Sequence, residues 1–92
     1  MTEPIIQELK IVNIKGLHAR ASAKLVEVVE DFDAACEVEK DGLTTNGDSI
    51  MGLLMLAASK GSFIKVKTTG ADAQDLADAV AGLVANKFGE DD

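Results

Sequence analysis

The chain has 92 residues, and with 47% hydrophobic and 27% charged residues it has the composition of an ordinary globular domain. This length can build one modest hydrophobic core, so we expect a single domain over residues 1–92. The net charge of −7 argues against a general nucleic-acid binder, which needs a basic face, and favours protein or small-ligand partners.

In the first half of the chain, a strand, a helix and a hairpin are predicted. Residues 8–11 alternate between polar and apolar side chains, as a half-buried strand does, and Gly16 marks the turn that follows. Residues 21–32 carry an apolar stripe at helical spacing, which predicts an amphipathic helix. Residues 35–39 and 43–45 flank the turn sequence Lys-Asp-Gly and are predicted to pair as a hairpin.

In the second half, two helices enclose one more strand. The sequence NGDS at positions 46–49 offers a helix N-cap, and a helix over residues 50–59 is predicted to follow it. Residues 64–68 alternate as a strand. Asp72 is predicted to cap the last helix, whose apolar stripe comprises Leu76, Val80, Leu83, Val84 and Phe88.

The element order βαββαβα predicts an α+β fold. We expect an open-faced β-sandwich, in which a four-stranded antiparallel sheet is covered on one face by three helices. The second helix has apolar residues on nearly every side of Gly52, more than one core-facing stripe requires. Part of it is therefore expected to form an exposed partner surface, with a tightly enclosed helix as the alternative.

No membrane segment and no metal site are predicted. The longest strongly apolar run, residues 50–58, is far shorter than the roughly 20 residues of a membrane-spanning helix. The first residues lack the pattern of a signal peptide, so we expect a cytoplasmic protein. One cysteine and one histidine cannot supply an internal disulfide or a usual zinc set, so no metal or cofactor is expected, and Cys36 is interpreted as a small strand residue.

His18, the only histidine, lies at or just before the first turn of the first predicted helix. Backbone N–H groups there lack intrahelical acceptors and the helix dipole is positive, which favours an anion. A neutral imidazole can attack phosphorus through a ring nitrogen, and the N–H groups of Ala19 and Arg20 and the Arg20 guanidinium suit phosphate oxygens. The alternative is that His18 only caps the helix or packs in a loop.

Two sequence stretches resemble signatures of one protein family. GLHARASAKL, residues 16–25, resembles the active-site signature of the HPr family, the histidine phosphocarriers of the bacterial phosphoenolpyruvate-dependent phosphotransferase system. NGDSIMGLLMLAASKG, residues 46–61, resembles the second signature, around a regulatory serine. Length and element order also agree with the family. The segments LLMLAASKG and KFGEDD are similar to the nitrogen-related carrier NPr and SIMG is closer to sugar-system HPr, so both branches remain open.

The resemblance implies a phosphoryl carrier rather than a stand-alone enzyme. His18 would accept a phosphoryl group on Nδ1 from phosphorylated Enzyme I and donate it to a histidine of an Enzyme IIA protein, while Arg20 would steady the group. Five residues beside the active centre are expected to contact these partners, and they are Ile50, Met51, Leu54, Ala21 and Lys24. Exposed docking surfaces without a coiled-coil pattern favour a monomer.

Ala21 and Ser49 lie in the two signatures, Ala21 where the chain departs from the family and Ser49 where the family has a modified serine. The family usually has proline directly after the HAR tripeptide, where this chain has Ala21; alanine is expected to preserve the helix with a slightly looser first turn. Ser49 matches the serine that a bifunctional HPr kinase/phosphorylase modifies in some members. Asp48 beside it opposes this modification by like-charge repulsion, and Ser49 or Asp48 can instead simply cap the second helix.

Two further hypotheses remain open from the sequence. One is a regulatory interaction module with an HPr-like fold that binds a target without passing phosphate; the pairing of His18 with Arg20 weighs against it. The other is a small hydrolase of the acylphosphatase type, which should have the element order βαββαβ and a phosphate loop after its first strand.

Overall fold

The computed structural model describes residues 3–90, and its elements follow the predicted order βαββαβα. The four strands are β1 Ile5–Lys10, β2 Ala35–Lys40, β3 Leu43–Asn46 and β4 Phe63–Thr69. The three helices are α1 Ala19–Glu30, α2 Ile50–Met55 and α3 Ala73–Ala85, and a short 3-10 turn at Lys87–Gly89 follows α3.

The strands form one antiparallel sheet in the order β1-β4-β2-β3. Alternate residues of β4 are buried, so Ile64 and Val66 face the helices while their neighbours face outward. Val38 of β2 is paired with Val66, and Leu25 of α1 lies in the same buried cluster. The predicted open-faced sandwich, with three helices on one face of a four-stranded antiparallel sheet, is confirmed.

The loop before α1 is pressed against the segment that follows α2. Gly16 has a φ of +66°, and a Cβ atom added there would lie 2.4 Å from the carbonyl oxygen of Ala58, so only glycine fits. The N–H of Leu17 donates to the same oxygen at 2.8 Å. This contact fixes the chain immediately before His18.

Helix α2 is shorter than predicted, ending at Met55 rather than at residue 59. Ala57 adopts a left-handed backbone with a φ of +52°, which an α-helix cannot contain. The apolar pattern continues past this point because Leu56 and Ala58 are buried outside the helix. The break frees the Ala58 carbonyl to accept from Leu17.

The end of α3 also departs from the prediction. Phe88 fits the helical spacing of the apolar stripe and is fully buried, yet the helix stops at Ala85. Lys87 and Phe88 both have positive φ values, of 56° and 55°, which reverse the chain. The reversal carries Glu90 back towards the start of α1.

Asp72 precedes α3 as predicted, but its side chain makes no capping hydrogen bond to that helix. Its carboxylate instead accepts from the backbone N–H of Asp33 at 2.8 Å.

Across residues 3–90, none of the helices has the length and apolar character needed to cross a membrane.

Candidate functional site

His18 is the residue immediately before α1, and its backbone is extended. Its carbonyl oxygen accepts the first intrahelical bond, from Ser22 N–H at 2.8 Å, and its side chain caps no backbone group of the helix. The N–H groups of Ala19 and Arg20 therefore lie at the open N-terminus of the helix, where the dipole favours an anion. The hypothesis that His18 serves only as a helix cap finds no support in these contacts.

A cleft of about 390 Å³ adjoins the His18 ring. Its lining includes three cationic side chains, those of Lys15, Arg20 and Lys24, in a protein whose net charge is −7. Clustered cations in a cleft concentrate positive potential locally. The acidic molecule thus presents a basic cleft at its histidine, where a phosphoryl group would be attracted.

Residues 86–90, which follow α3 and which we call the C-terminal segment, close one side of this cleft. Nε2 of His18 contacts Oε2 of Glu90, and Nδ2 of Asn13 donates to Oε1 of Glu90 at 3.0 Å. Lys24 Nζ donates to the backbone carbonyl of Phe88 at 2.6 Å. The hydrogen bonds from His18 and then from Asn13 lower the pKa of the Glu90 carboxyl below its usual value. The carboxylate is therefore ionised at neutral pH.

Asn13 and Glu90 are two site residues that the sequence alone does not predict. Glu90 belongs to the acidic ending KFGEDD, which resembles an exposed charged flank. Asn13 is fully buried, and the same Nδ2 atom also donates to the Gly16 carbonyl at 2.8 Å. In the sequence, Asn13 is only one polar residue shortly before His18. Asparagine is so common in turns that its presence there does not indicate a functional site.

Ser49 is the N-cap of α2, and its Oγ accepts from the N–H of Gly52 at 3.1 Å. The capping interpretation is thus confirmed for Ser49, whereas Asp48 is exposed in the preceding turn. Gly52 lies against β3, because a Cβ atom there would be 1.8 Å from Thr45 Oγ1. The second signature therefore has a structural role at both its serine and its glycine.

Helix α2 presents an exposed apolar surface, which we call the α2 surface. It comprises Ile50, Met51, Leu54 and Met55, whose exposed fractions are 40%, 72%, 37% and 70%. Leu53 of the same helix is fully buried, so α2 is anchored to the core on one side. Leu54 and His18 line one shallow depression of about 260 Å³, which makes the α2 surface continuous with the histidine. The expectation that part of this helix is exposed is met.

Ala21 and Lys24, which were also expected to contact partners, do not belong to the α2 surface. Ala21 has no exposed surface because it faces the core from the first turn of α1, so it cannot form part of a contact surface. The expectation for Ala21 is wrong. Lys24 lines the cleft, but its ammonium group is engaged by the Phe88 carbonyl.

Cys36 lies buried in β2, as expected of a small strand residue. Burial, with a smaller contribution from the negative charges of Asp48 and Glu37, raises the pKa of its thiol to about 11. A thiol with so high a pKa is a poor nucleophile and metal ligand. Among residues 3–90, no three His, Cys, Asp or Glu side chains are grouped as a metal would require.

Comparison with known proteins identifies the family. A family profile described as the PTS HPr component phosphorylation site matches residues 5–86. Phosphocarrier protein HPr of Cupriavidus necator is 43% identical over 84 residues, or 91% of this chain and 94% of that protein. Phosphocarrier protein NPr of Escherichia coli is 37% identical over 86 residues, which are 92% of this chain and 96% of that protein. The crystal structure of HPr-C-His from Thermoanaerobacter tengcongensis, 36% identical, covers 95% of this chain and 98% of its own, with a TM-score of 0.90. The chain therefore belongs to the HPr family of phosphocarrier proteins of the phosphotransferase system.

Proposed function

We propose that His18 is the phosphoryl acceptor of this phosphocarrier, taking the group from phosphorylated Enzyme I and passing it to a histidine of an Enzyme IIA protein. The observation that carries this proposal is the position of His18, at the open N-terminus of α1 beside the basic cleft. A phosphoryl group carries roughly two negative charges. The site offers helix N–H groups and cationic side chains to meet them.

The proposed transfer is a displacement at phosphorus. The lone pair of Nδ1 forms the new P–N bond, the P–N bond of the donor phosphohistidine breaks, and its electron pair returns to the donor ring. The N–H groups of Ala19 and Arg20 and the Arg20 guanidinium hold the oxygens of the transferred group. His18 is only partly exposed, with 27% of its side chain accessible, so a partner must approach closely and in a defined orientation.

We propose that the α2 surface docks Enzyme I and the Enzyme IIA proteins. Its exposed apolar area adjoins His18, and methionine side chains adapt to more than one partner. Ile50, Met51 and Leu54 are the principal contacts. Lys24 contributes through its position in the cleft.

Ser49 is proposed as a site for HPr kinase/phosphorylase. Its hydroxyl lies at the start of α2 and next to the exposed Ile50 and Met51. A phosphate there would add negative charge beside an apolar docking surface, which disfavours docking by desolvation and repulsion. The Ser49→Asp variant should accept phosphate from Enzyme I more slowly than the wild type, and an unchanged rate refutes this regulatory role.

The direct test of the proposed function uses purified Enzyme I and phosphoenolpyruvate with the wild type and the His18→Gln variant. We expect the intact mass of the wild type to increase by one acid-labile phosphoryl group, and that of His18→Gln to stay unchanged while its circular dichroism matches the wild type. Absence of transfer to the wild type from both the sugar-system and the nitrogen-related Enzyme I would refute the proposal.

The His18→Gln variant also distinguishes a phosphoryl carrier from a regulatory interaction module when its partner binding is measured beside transfer. A regulatory module would keep its partner binding unchanged in His18→Gln, whereas a phosphoryl carrier would lose transfer. An acylphosphatase should lack a helix after its last strand, and α3 is present. The fold therefore does not fit an acylphosphatase.

We further propose that residues 1–92 form a single HPr-like domain that acts as a monomer in the cytoplasm, in either the sugar or the nitrogen-related branch. The solved HPr dimer from Thermoanaerobacter tengcongensis, 37% identical to this chain, makes oligomeric state the point to test. Sedimentation of the unmodified protein at the concentration used for transfer should give the mass of one chain.

A further inference from the structure

The contact between His18 and Glu90 determines where the imidazole proton lies. Both oxygens of the Glu90 carboxylate face nitrogen donors, namely Nε2 of His18 and Nδ2 of Asn13. An ionised carboxylate only accepts hydrogen bonds, and the amide nitrogen of asparagine only donates. Nε2 must therefore carry a proton whenever this contact is made. A neutral imidazole has only one N–H, so Nδ1 then carries the lone pair.

We propose that Glu90 is a positioning residue for phosphoryl transfer: its carboxylate keeps the ring proton of His18 on Nε2 and so keeps Nδ1 available as the nucleophile. This inference rests on the proposed function of His18. It adds to that function a residue from the C-terminal segment, which acts on the reaction only through the histidine ring.

The Glu90 carboxylate acts on both directions of phosphoryl transfer. When Nδ1 bonds to phosphorus, the proton remains on Nε2, and the ring becomes a cation that faces the Glu90 carboxylate. This pairing stabilises the charge that develops on the ring. When the phosphoryl group passes to the next partner, the electron pair of the broken P–N bond returns to Nδ1. The ring is then a neutral imidazole, because its proton has stayed on Nε2. Glu90 therefore supports acceptance and donation alike.

The carboxylate is held in place by contacts that do not involve the histidine. Asn13, which donates to Glu90, is fully buried and is itself tied to the Gly16 carbonyl. Two residues before Glu90, Phe88 is fully buried and its carbonyl accepts from Lys24. A side chain that is already positioned loses little entropy when the reaction begins.

The negative charge of Glu90 also repels the incoming phosphoryl group. Lys15, Arg20 and Lys24 line the same cleft and oppose this repulsion. Removal of the charge distinguishes the two effects, because loss of proton placement slows the transfer whereas loss of repulsion speeds it.

The test compares the full-length wild type with Glu90→Gln after ¹⁵N labelling of histidine. His18 and Asn13 face different oxygens of the Glu90 carboxylate, and glutamine replaces one of these oxygens by an NH₂ group, so in the same position it can accept from only one of them. With its oxygen towards Asn13, its NH₂ group faces Nε2 and favours the tautomer protonated on Nδ1. We expect ¹⁵N shifts at neutral pH to show the proton on Nε2 in the wild type and a several-fold larger Nδ1-protonated share in Glu90→Gln. The rate of phosphorylation by Enzyme I should fall about ten-fold, as for loss of one hydrogen bond to a charged group.

The matched control is Glu30→Gln, which removes the same charge at the opposite end of α1 and should change neither readout. An unchanged tautomer ratio in Glu90→Gln, or a wild-type ring protonated mainly on Nδ1, would overturn the proposal. Faster phosphorylation of Glu90→Gln would also overturn it by showing that repulsion dominates. The tautomer is measured without Enzyme I, so a wild type that accepts no phosphate refutes the proposed function while leaving this readout intact.

Discussion

The Glu90 carboxylate contacts the imidazole of His18 although 72 residues separate them in the chain. The contact joins the C-terminal segment to the N-terminus of α1, at the centre of the proposed transfer site. Because both His18 and Asn13 donate to the carboxylate, the charged form of Glu90 is favoured and its pKa lies below the ordinary value.

The lowered pKa of Glu90 predicts that its carboxyl titrates differently in the folded and the unfolded protein. A carboxyl group whose pKa is lower in the folded state stabilises the fold above its unfolded-state pKa. That contribution is lost as the pH falls through the folded-state value. In a ¹³C-detected pH titration, the Glu90 carboxyl should therefore titrate at lower pH in the folded protein than in the urea-unfolded chain. Equal midpoints in the two states would contradict this expectation.

The hydrogen bond from Lys24 to the Phe88 carbonyl predicts a modest role in stability. Lys24→Met keeps much of the aliphatic stem but removes the donor, and we expect the free energy of unfolding in urea to fall by about 1 kcal/mol. Lys65→Met, on the exposed face of β4, is the matched control and should change stability less. Equal effects of the two variants would show that the Phe88 contact contributes nothing specific.

Local sequence patterns predicted the element order and the place of His18 directly before α1. Such patterns succeed here because apolar periodicity and turn residues determine structure over only a few neighbouring residues. The prediction that α3 extends to Phe88 was wrong, although Phe88 has the helical spacing of the apolar stripe. Phe88 reaches the core because the left-handed backbone of Lys87 and Phe88 reverses the chain, and no local pattern predicts that reversal. Local patterns failed in the same way at Ala57, where a contact with the chain before His18 ends α2 early. Glu90 is not predicted from the sequence because its contacts, with His18 and Asn13, join residues that lie more than 70 positions apart in the chain.

Two glycines within helices are expected to respond oppositely to alanine. At Gly52 an added Cβ would lie 2.9 Å from the Cβ atom of Thr45, which cannot rotate away. Gly52→Ala should therefore lower the free energy of unfolding by about 1–3 kcal/mol through overpacking. At Gly82, exposed in α3, no atom lies within 4 Å of the added Cβ. Gly82→Ala should raise stability by about 0.5–1 kcal/mol through helix propensity. Thermal unfolding of both variants checks the pair, and a destabilised Gly82→Ala or an unaffected Gly52→Ala would contradict it.

The α2 surface predicts a separation of docking from folding. Met51 is 72% exposed, so Met51→Asp should leave stability within about 0.5 kcal/mol of the wild type. The same change places a charge within the proposed contact, and burying an unpaired charge opposes association. The rate of phosphorylation by Enzyme I at subsaturating concentration should therefore fall by at least about ten-fold. Ile6→Asp, 60% exposed on β1 of the sheet, adds the same charge away from α2 and should transfer at the wild-type rate once its folding is verified. Equal slowing of both variants would mean that added negative charge, rather than the α2 surface, governs the encounter with Enzyme I.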